Sequence, residues 1–98
     1  MWILQSAETD GETFTFRMAP GAIKTVGRAP RADFVIDAAL VSRLHCRLTA
    51  AESTVEVVDL GSTNGTYLND ERIDKIATLG SGERLRIGRI ELKVERAS

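Results

Sequence analysis

The sequence predicts an all-β domain, either a β-sandwich or a small barrel. Three observations carry that expectation. Apolar and polar residues alternate with a period of two along much of the chain. Turn-forming residues separate the alternating stretches at short intervals. No stretch sustains a helical period. Alternation of this kind marks antiparallel sheets with one buried face. The chain has 98 residues, of which 43% are hydrophobic. That is enough for one domain, residues 1–98, with a packed core and no need of a disulfide or a metal.

The elements follow in order. Trp2-Ile3-Leu4 opens the first strand. Phe14, Phe16 and Met18 share one face of the second. Lys24-Thr25-Val26 and Phe34-Val35-Ile36 supply two more. Residues 37–44 are long enough for one helical turn and no more. Residues 45–49 begin the next strand, and Val55 and Val57 share a face within residues 54–59. Leu85 and Ile87 do the same within residues 83–88, and Ile90, Leu92 and Val94 in the last strand. Turns are marked by Asp10-Gly11, Pro20-Gly21, Asn64-Gly65, Asn69-Asp70, Gly80-Ser81-Gly82 and Gly88.

Charge and composition exclude several function classes. Lys+Arg number 13 and Asp+Glu 14, a net charge of −1. Nucleic-acid binders carry a basic excess, and none is present overall. No apolar run approaches the roughly 20 residues that cross a membrane, and no signal-peptide pattern opens the chain. The single cysteine, Cys46, cannot form an intrachain disulfide. A reducing, cytoplasmic or otherwise intracellular setting is therefore expected.

Three polar clusters sit where loops are expected, and none is needed to fill a core. They are Gly27-Arg28, then Ser42-Arg43-Leu44-His45, then Ser62-Thr63-Asn64-Gly65-Thr66. Glycine permits turns and close approach, and arginine presents a planar fork of donors suited to phosphate oxygens. Arg28 alone could equally be a surface arginine in a salt bridge. Ser42 and Arg43 could turn a hydroxyl and a cation toward one anion, or Ser42 could bond its own backbone. His45 can tie two backbone segments through its two ring nitrogens. Asn64-Gly65 is a strong turn signal. The Asn64 amide also carries the donor and acceptor needed to grip an extended peptide, and Thr63 and Thr66 add hydroxyls.

In their order and spacing, Gly27-Arg28, Ser42-Arg43-Leu44-His45 and Asn64-Gly65-Thr66 resemble the forkhead-associated domain family. The likeness continues through Thr66-Tyr67-Leu68-Asn69, Ile73 and residues 82–88. The resemblance implies a twisted antiparallel β-sandwich of about eleven strands. It implies phosphothreonine-peptide binding by loops at one end. By the same resemblance Arg28 and Ser42 contact the phosphate and Arg43 assists. Thr63 lies at the edge, and Asn64 clamps the peptide backbone. Gly27, His45 and Gly65 support the loops. The implied partner is a phosphothreonine-containing protein, or a phosphorylated segment of the same parent protein. Selectivity beyond the phosphothreonine would come from nearby loop residues such as Arg31, Leu40, Val41 and those around Thr66.

Phosphothreonine carries about −1.5 to −2 charges and three acceptor oxygens at neutral pH, which two arginines and a hydroxyl can satisfy. An enzyme is the first competing class. Ser42 and His45 have the residue types of a nucleophile and its base, but no orienting carboxylate is evident nearby in sequence. His45 and Cys46 are strand neighbours on opposite faces and make no metal site. The expectation is a binding domain, monomeric in isolation, with no catalysis, cofactor, metal, nucleic acid or membrane. The alternative is a phosphate-independent interaction or oligomerisation module on the same sandwich.

Overall fold

The structure, a computed structural model, describes residues 1–7 and 13–97. The Asp10-Gly11 turn expected from the sequence lies outside them. Among the described residues there are eleven strands and no helix. They are β1 (Trp2–Ser6), β2 (Thr15–Met18), β3 (Ile23–Gly27), β4 (Phe34–Val35), β5 (Cys46–Ala50), β6 (Val55–Asp59), β7 (Thr66–Leu68), β8 (Glu71–Arg72), β9 (Ile76–Leu79), β10 (Arg84–Ile87) and β11 (Ile90–Arg96). One sheet has the order β2-β1-β11-β10-β7-β8 and the other β4-β3-β5-β6-β9. The period-two pattern decides the layering. Leu4, Leu85, Leu92 and Val94 point inward from the first sheet, and Val26, Leu48, Val57 and Leu79 from the second, all at most 1% exposed. Phe16 on β2 stacks on Phe34 of β4 at 4.5 Å between ring centroids, joining the sheets at one side.

The described pairs are antiparallel except β3 with β4, where Val26 lies opposite Phe34 and Gly27 opposite Val35 in parallel. Residues 28–33 double back to allow this. The Asp33 carboxylate accepts bonds from the Thr25 amide (2.9 Å) and hydroxyl (3.1 Å), which anchors the returning chain beside β3.

Two strands, β8 and β9, are not evident from alternation. Glu71 and Arg72 are exposed on both faces of an edge hairpin. Its turn, Asn69-Asp70, has positive φ at both residues (48° and 71°), the hairpin geometry that Asn and Asp tolerate. Ile76 opens β9 at 57% exposure, so an apolar residue there faces solvent and hides the period. The helical turn considered for residues 37–44 does not form. Leu40 takes φ 70°, which ends any right-handed turn, and the segment runs as an open loop.

Both ends of the described chain meet. Ala97 N–H donates to Met1 O (2.8 Å), the Trp2 indole donates to Ala51 O (2.8 Å) and Arg96 donates to Glu52 O (3.0 Å). That places them beside the β5–β6 turn, at the far end of β5 from His45. No helix of the described residues is long and apolar enough to cross a membrane.

Candidate functional site

Three loops converge at the end of the sandwich where β3 stops and β5 begins. Gly27 is the last residue of β3, and its backbone is pressed against the loop before β5. A Cβ there would fall on the Arg43 carbonyl oxygen and lie 2.7 Å from its carbon. The glycine is required for close approach, and its φ is not in the left-handed region. The contact lets the two segments bond side by side. Arg28 N–H donates to Ser42 O (2.9 Å), Ala29 N–H to Arg43 O (3.1 Å) and His45 N–H to Val26 O (2.8 Å).

The segment 37–42 forms one wall of an open cleft of about 550 Å³, with Arg28, Thr63 and Asn64 facing it. Arg28 is exposed, but its Nε donates to Val41 O (3.1 Å). That bond fixes the guanidinium plane. Its two terminal nitrogens have no partner among the described residues and remain a fork of donors. The Ser42 hydroxyl accepts from Thr63 N–H (3.0 Å), which leaves its own proton free to donate. The Asn64 amide nitrogen donates to Leu40 O (3.1 Å), and its carbonyl oxygen has no donor among the described residues. The cleft therefore joins a cation, a hydroxyl and an amide with unused hydrogen-bonding capacity.

Arg43 is exposed and does not line the cleft. Of the residues considered for selectivity, Leu40 and Val41 line it and Arg31 does not. Thr66 is fully buried and faces inward, away from any ligand.

Behind the cleft lie two supports. His45 is fully buried. Its Nδ1 accepts from Ser42 N–H (3.0 Å), so that nitrogen carries no proton, and Nε2–H donates to Gly65 O (2.8 Å). One ring thus holds both loops. Burial holds its pKa below the usual histidine value, outweighing the Gly65 carbonyl and the Asp59 charge, which favour the cation. Gly65 takes φ 86°, which glycine adopts without strain. Cys46 is buried beside it in chain order, and burial pushes its thiol far above the ordinary range.

The second support, Asp59, was not found from the sequence. At the end of β6 its carboxylate accepts from the Ser62 hydroxyl (2.5 Å), the Thr66 hydroxyl (2.7 Å), and the Gly61 and Ser62 amides (both 3.1 Å). Burial alone would raise its pKa. The four bonds overcome that and leave it below the usual carboxylate range. The available signal was an Asp followed within seven residues by Ser and Thr, the residue types that close a loop on a carboxylate.

The FHA domain profile matches residues 24–88, which contain all the candidate residues above. The glycogen accumulation regulator GarA of Mycobacterium tuberculosis is 41% identical over 71 residues. The match covers 72% of this chain and 43% of GarA, so the chain spans less than half of that relative's length. The FHA domain of CT664 from Chlamydia trachomatis has the same fold, with a TM-score of 0.91 over 99% of this chain and 98% of that one, at 23% identity. An FHA domain solved in a study of phosphothreonine-dependent FHA domain interactions is 29% identical, with a TM-score of 0.81 over 99% of this chain and 97% of that one. With a profile match across well over half of its length, and with the glycine, arginine, serine, histidine and asparagine of the clusters gathered at one end of the sandwich, the chain belongs to the FHA domain family.

Proposed function

We propose that this domain, residues 1–98, is an intracellular module that binds phosphothreonine peptides without turning them over. The ligand is on a partner protein or on another segment of the same parent protein. Arg28 and Ser42 take the phosphate. Asn64 clamps the peptide main chain, with Thr63 at the edge and Arg43 adding charge from outside the cleft. The observation that carries the reading is the unused capacity of the Arg28 fork, the Ser42 proton and the Asn64 carbonyl in one open cleft. The phosphate oxygens match the Arg28 fork and the Ser42 proton, whose charge-assisted bonds are the strong ones, while the Asn64 carbonyl can accept from a peptide N–H. The likeness to a domain solved for phosphothreonine-dependent interactions supports the same ligand class.

Binding rather than catalysis is supported by His45. Both its ring nitrogens are taken by backbone groups, and the Ser42 hydroxyl bonds Thr63 and not the imidazole. A serine without a base in reach is a poor nucleophile. The lone, buried Cys46 fits a reducing compartment.

Isothermal titration with a phosphothreonine peptide and its unphosphorylated form tests the proposal. A charge-assisted hydrogen bond is worth about 1.5–3 kcal/mol, so losing two should weaken binding by about a hundredfold or more. Arg28→Ala should remove most of the phosphate-dependent binding and leave the fold intact. Equal affinities for the two peptides would point instead to a phosphate-independent module.

A further inference from the structure

The cleft holds two charged side chains, Arg28 and Asp37. Asp37 stands at the start of the wall whose other end is Ser42. Ala38, Ala39, Leu40 and Val41 lie between, so the wall is apolar between its charged end and the hydroxyl. Asp37 is exposed, and its carboxylate makes no hydrogen bond or ion pair among the described residues. The carboxylates that shape these loops are others: Asp33 on Thr25, and Asp59 on Ser62 and Thr66. Asp37 thus has charge to offer a ligand and no bond of its own to lose.

Resting on the proposed phosphothreonine reading, we infer that Asp37 is a specificity residue: it selects ligands with a lysine or arginine near the phosphothreonine and rejects those with an acidic residue there. Five residues of extended chain span at most about 18 Å, and the left-handed turn at Leu40 shortens that reach. A bound strand advances about 3.3 Å per residue. The side chain that meets Asp37 therefore stands within about five residues of the phosphothreonine. A ligand with a phosphate at one place and a cation at the other complements the cleft's own charges. A second anion on the ligand would meet Asp37 with nothing to offset it. Arg31, which would favour an acidic peptide residue, is not in the cleft.

The effect is modest because the pair is wet. Exposed ion pairs shift affinity by about two- to fivefold, and salt screens them beyond about 8 Å. The test uses phosphothreonine peptides that differ at one position at a time, within five residues on either side, as Lys, Ala or Glu. The readout is the ratio of the Glu-peptide Kd to the Lys-peptide Kd for the whole domain. One position should show Lys above Ala above Glu, with a ratio of about fivefold that shrinks as salt is raised. Asp37→Asn should bring the ratio near one, and Asp37→Lys should invert it. Equal Lys and Glu affinities at every position, with phosphate dependence intact, overturn this inference alone. So does a preference that persists in Asp37→Asn. Loss of phosphate dependence itself overturns the proposed function and this inference with it.

Discussion

The two loops that face each other across the cleft share the His45 tie but differ in what else holds them. Residues 60–65 close on a carboxylate from the adjoining strand. Asp59 receives bonds from Gly61, Ser62 and Thr66, none more than seven residues away. Residues 37–44 have no such centre. Their carbonyls and amides are held by Arg28, Asn64 and His45, with Arg28 and Asn64 lying on other loops. The first loop has a centre in its own stretch of sequence, to which Ser42 and His45 add ties at Thr63 N–H and Gly65 O. The second is shaped by whatever surrounds it, including the residues proposed to grip the ligand. A ligand that draws on Arg28 and Asn64 would therefore act on the second loop more than on the first.

The largest test of that contrast is His45→Ala, which cuts the tie to both loops at once. It leaves Ser42 N–H and Gly65 C=O without their partner and opens a buried cavity. Urea denaturation should show a loss of about 3–4 kcal/mol. A loss under 1 kcal/mol would mean that the loops stand without the ring. Asp59→Asn comes next and should cost about 1–2 kcal/mol, since two hydroxyls lose a charged acceptor while one carbonyl oxygen remains. Its amide hydrogen exchange should quicken at Gly61 and Ser62 and stay unchanged at residues 38–42. Equal quickening in both loops would mean that Asp59 holds the two alike.

Acid gives the smallest and most selective test. The folded-state pKa of His45 is held below the ordinary value of 6.5, so the unfolded chain takes up the proton first. Its contribution to stability is complete above pH 6.5 and lost as pH falls toward the folded value, by at most about 1.4 kcal/mol per pH unit. Asp59 is also lowered, from 3.8, so its contribution persists until pH falls below that value. Between pH 6.5 and 4 the loop of residues 37–44 should loosen first, as read by amide chemical shifts. A stability profile flat over that interval would show that His45 does not govern it.

Much of this was legible in the sequence because the relevant physics is local. Alternation in residues 54–59 and 83–94 places Val55, Val57, Leu85, Ile87, Leu92 and Val94 in the core, and all are buried. The turn residues Asn69-Asp70 and Gly88 announce themselves by their tolerance of positive φ. The two ring nitrogens suit His45 to tie two backbone segments, and it makes that tie. What escaped depends on partners distant in sequence. The strand at Ile76–Leu79 exists because β6 pairs with it, and Ile76 breaks the alternation by facing solvent. The parallel β3–β4 pair depends on Asp33 finding Thr25. For Gly27 the sequence offers a turn or a close approach, and which of the two applies depends on a carbonyl from another loop, Arg43 O, that presses against it. A lone loop carboxylate such as Asp37 is ordinary until its neighbours across the cleft are known.

The meeting of the two chain ends has a mechanical consequence. β1 and β11 are antiparallel neighbours, and Trp2 pairs with Arg96 at the end where both termini emerge. Tension applied to the two ends would unzip that ladder one pair at a time, from Trp2 and Arg96 toward Ser6 and Leu92. Such a joint yields at low force compared with one loaded in shear, where all the pairs must break together. The load path ends at the β5–β6 turn and leaves out the loops at the other end of β5. A tether pulled taut would strain the strand margin long before it disturbed Arg28, Ser42 or Asn64.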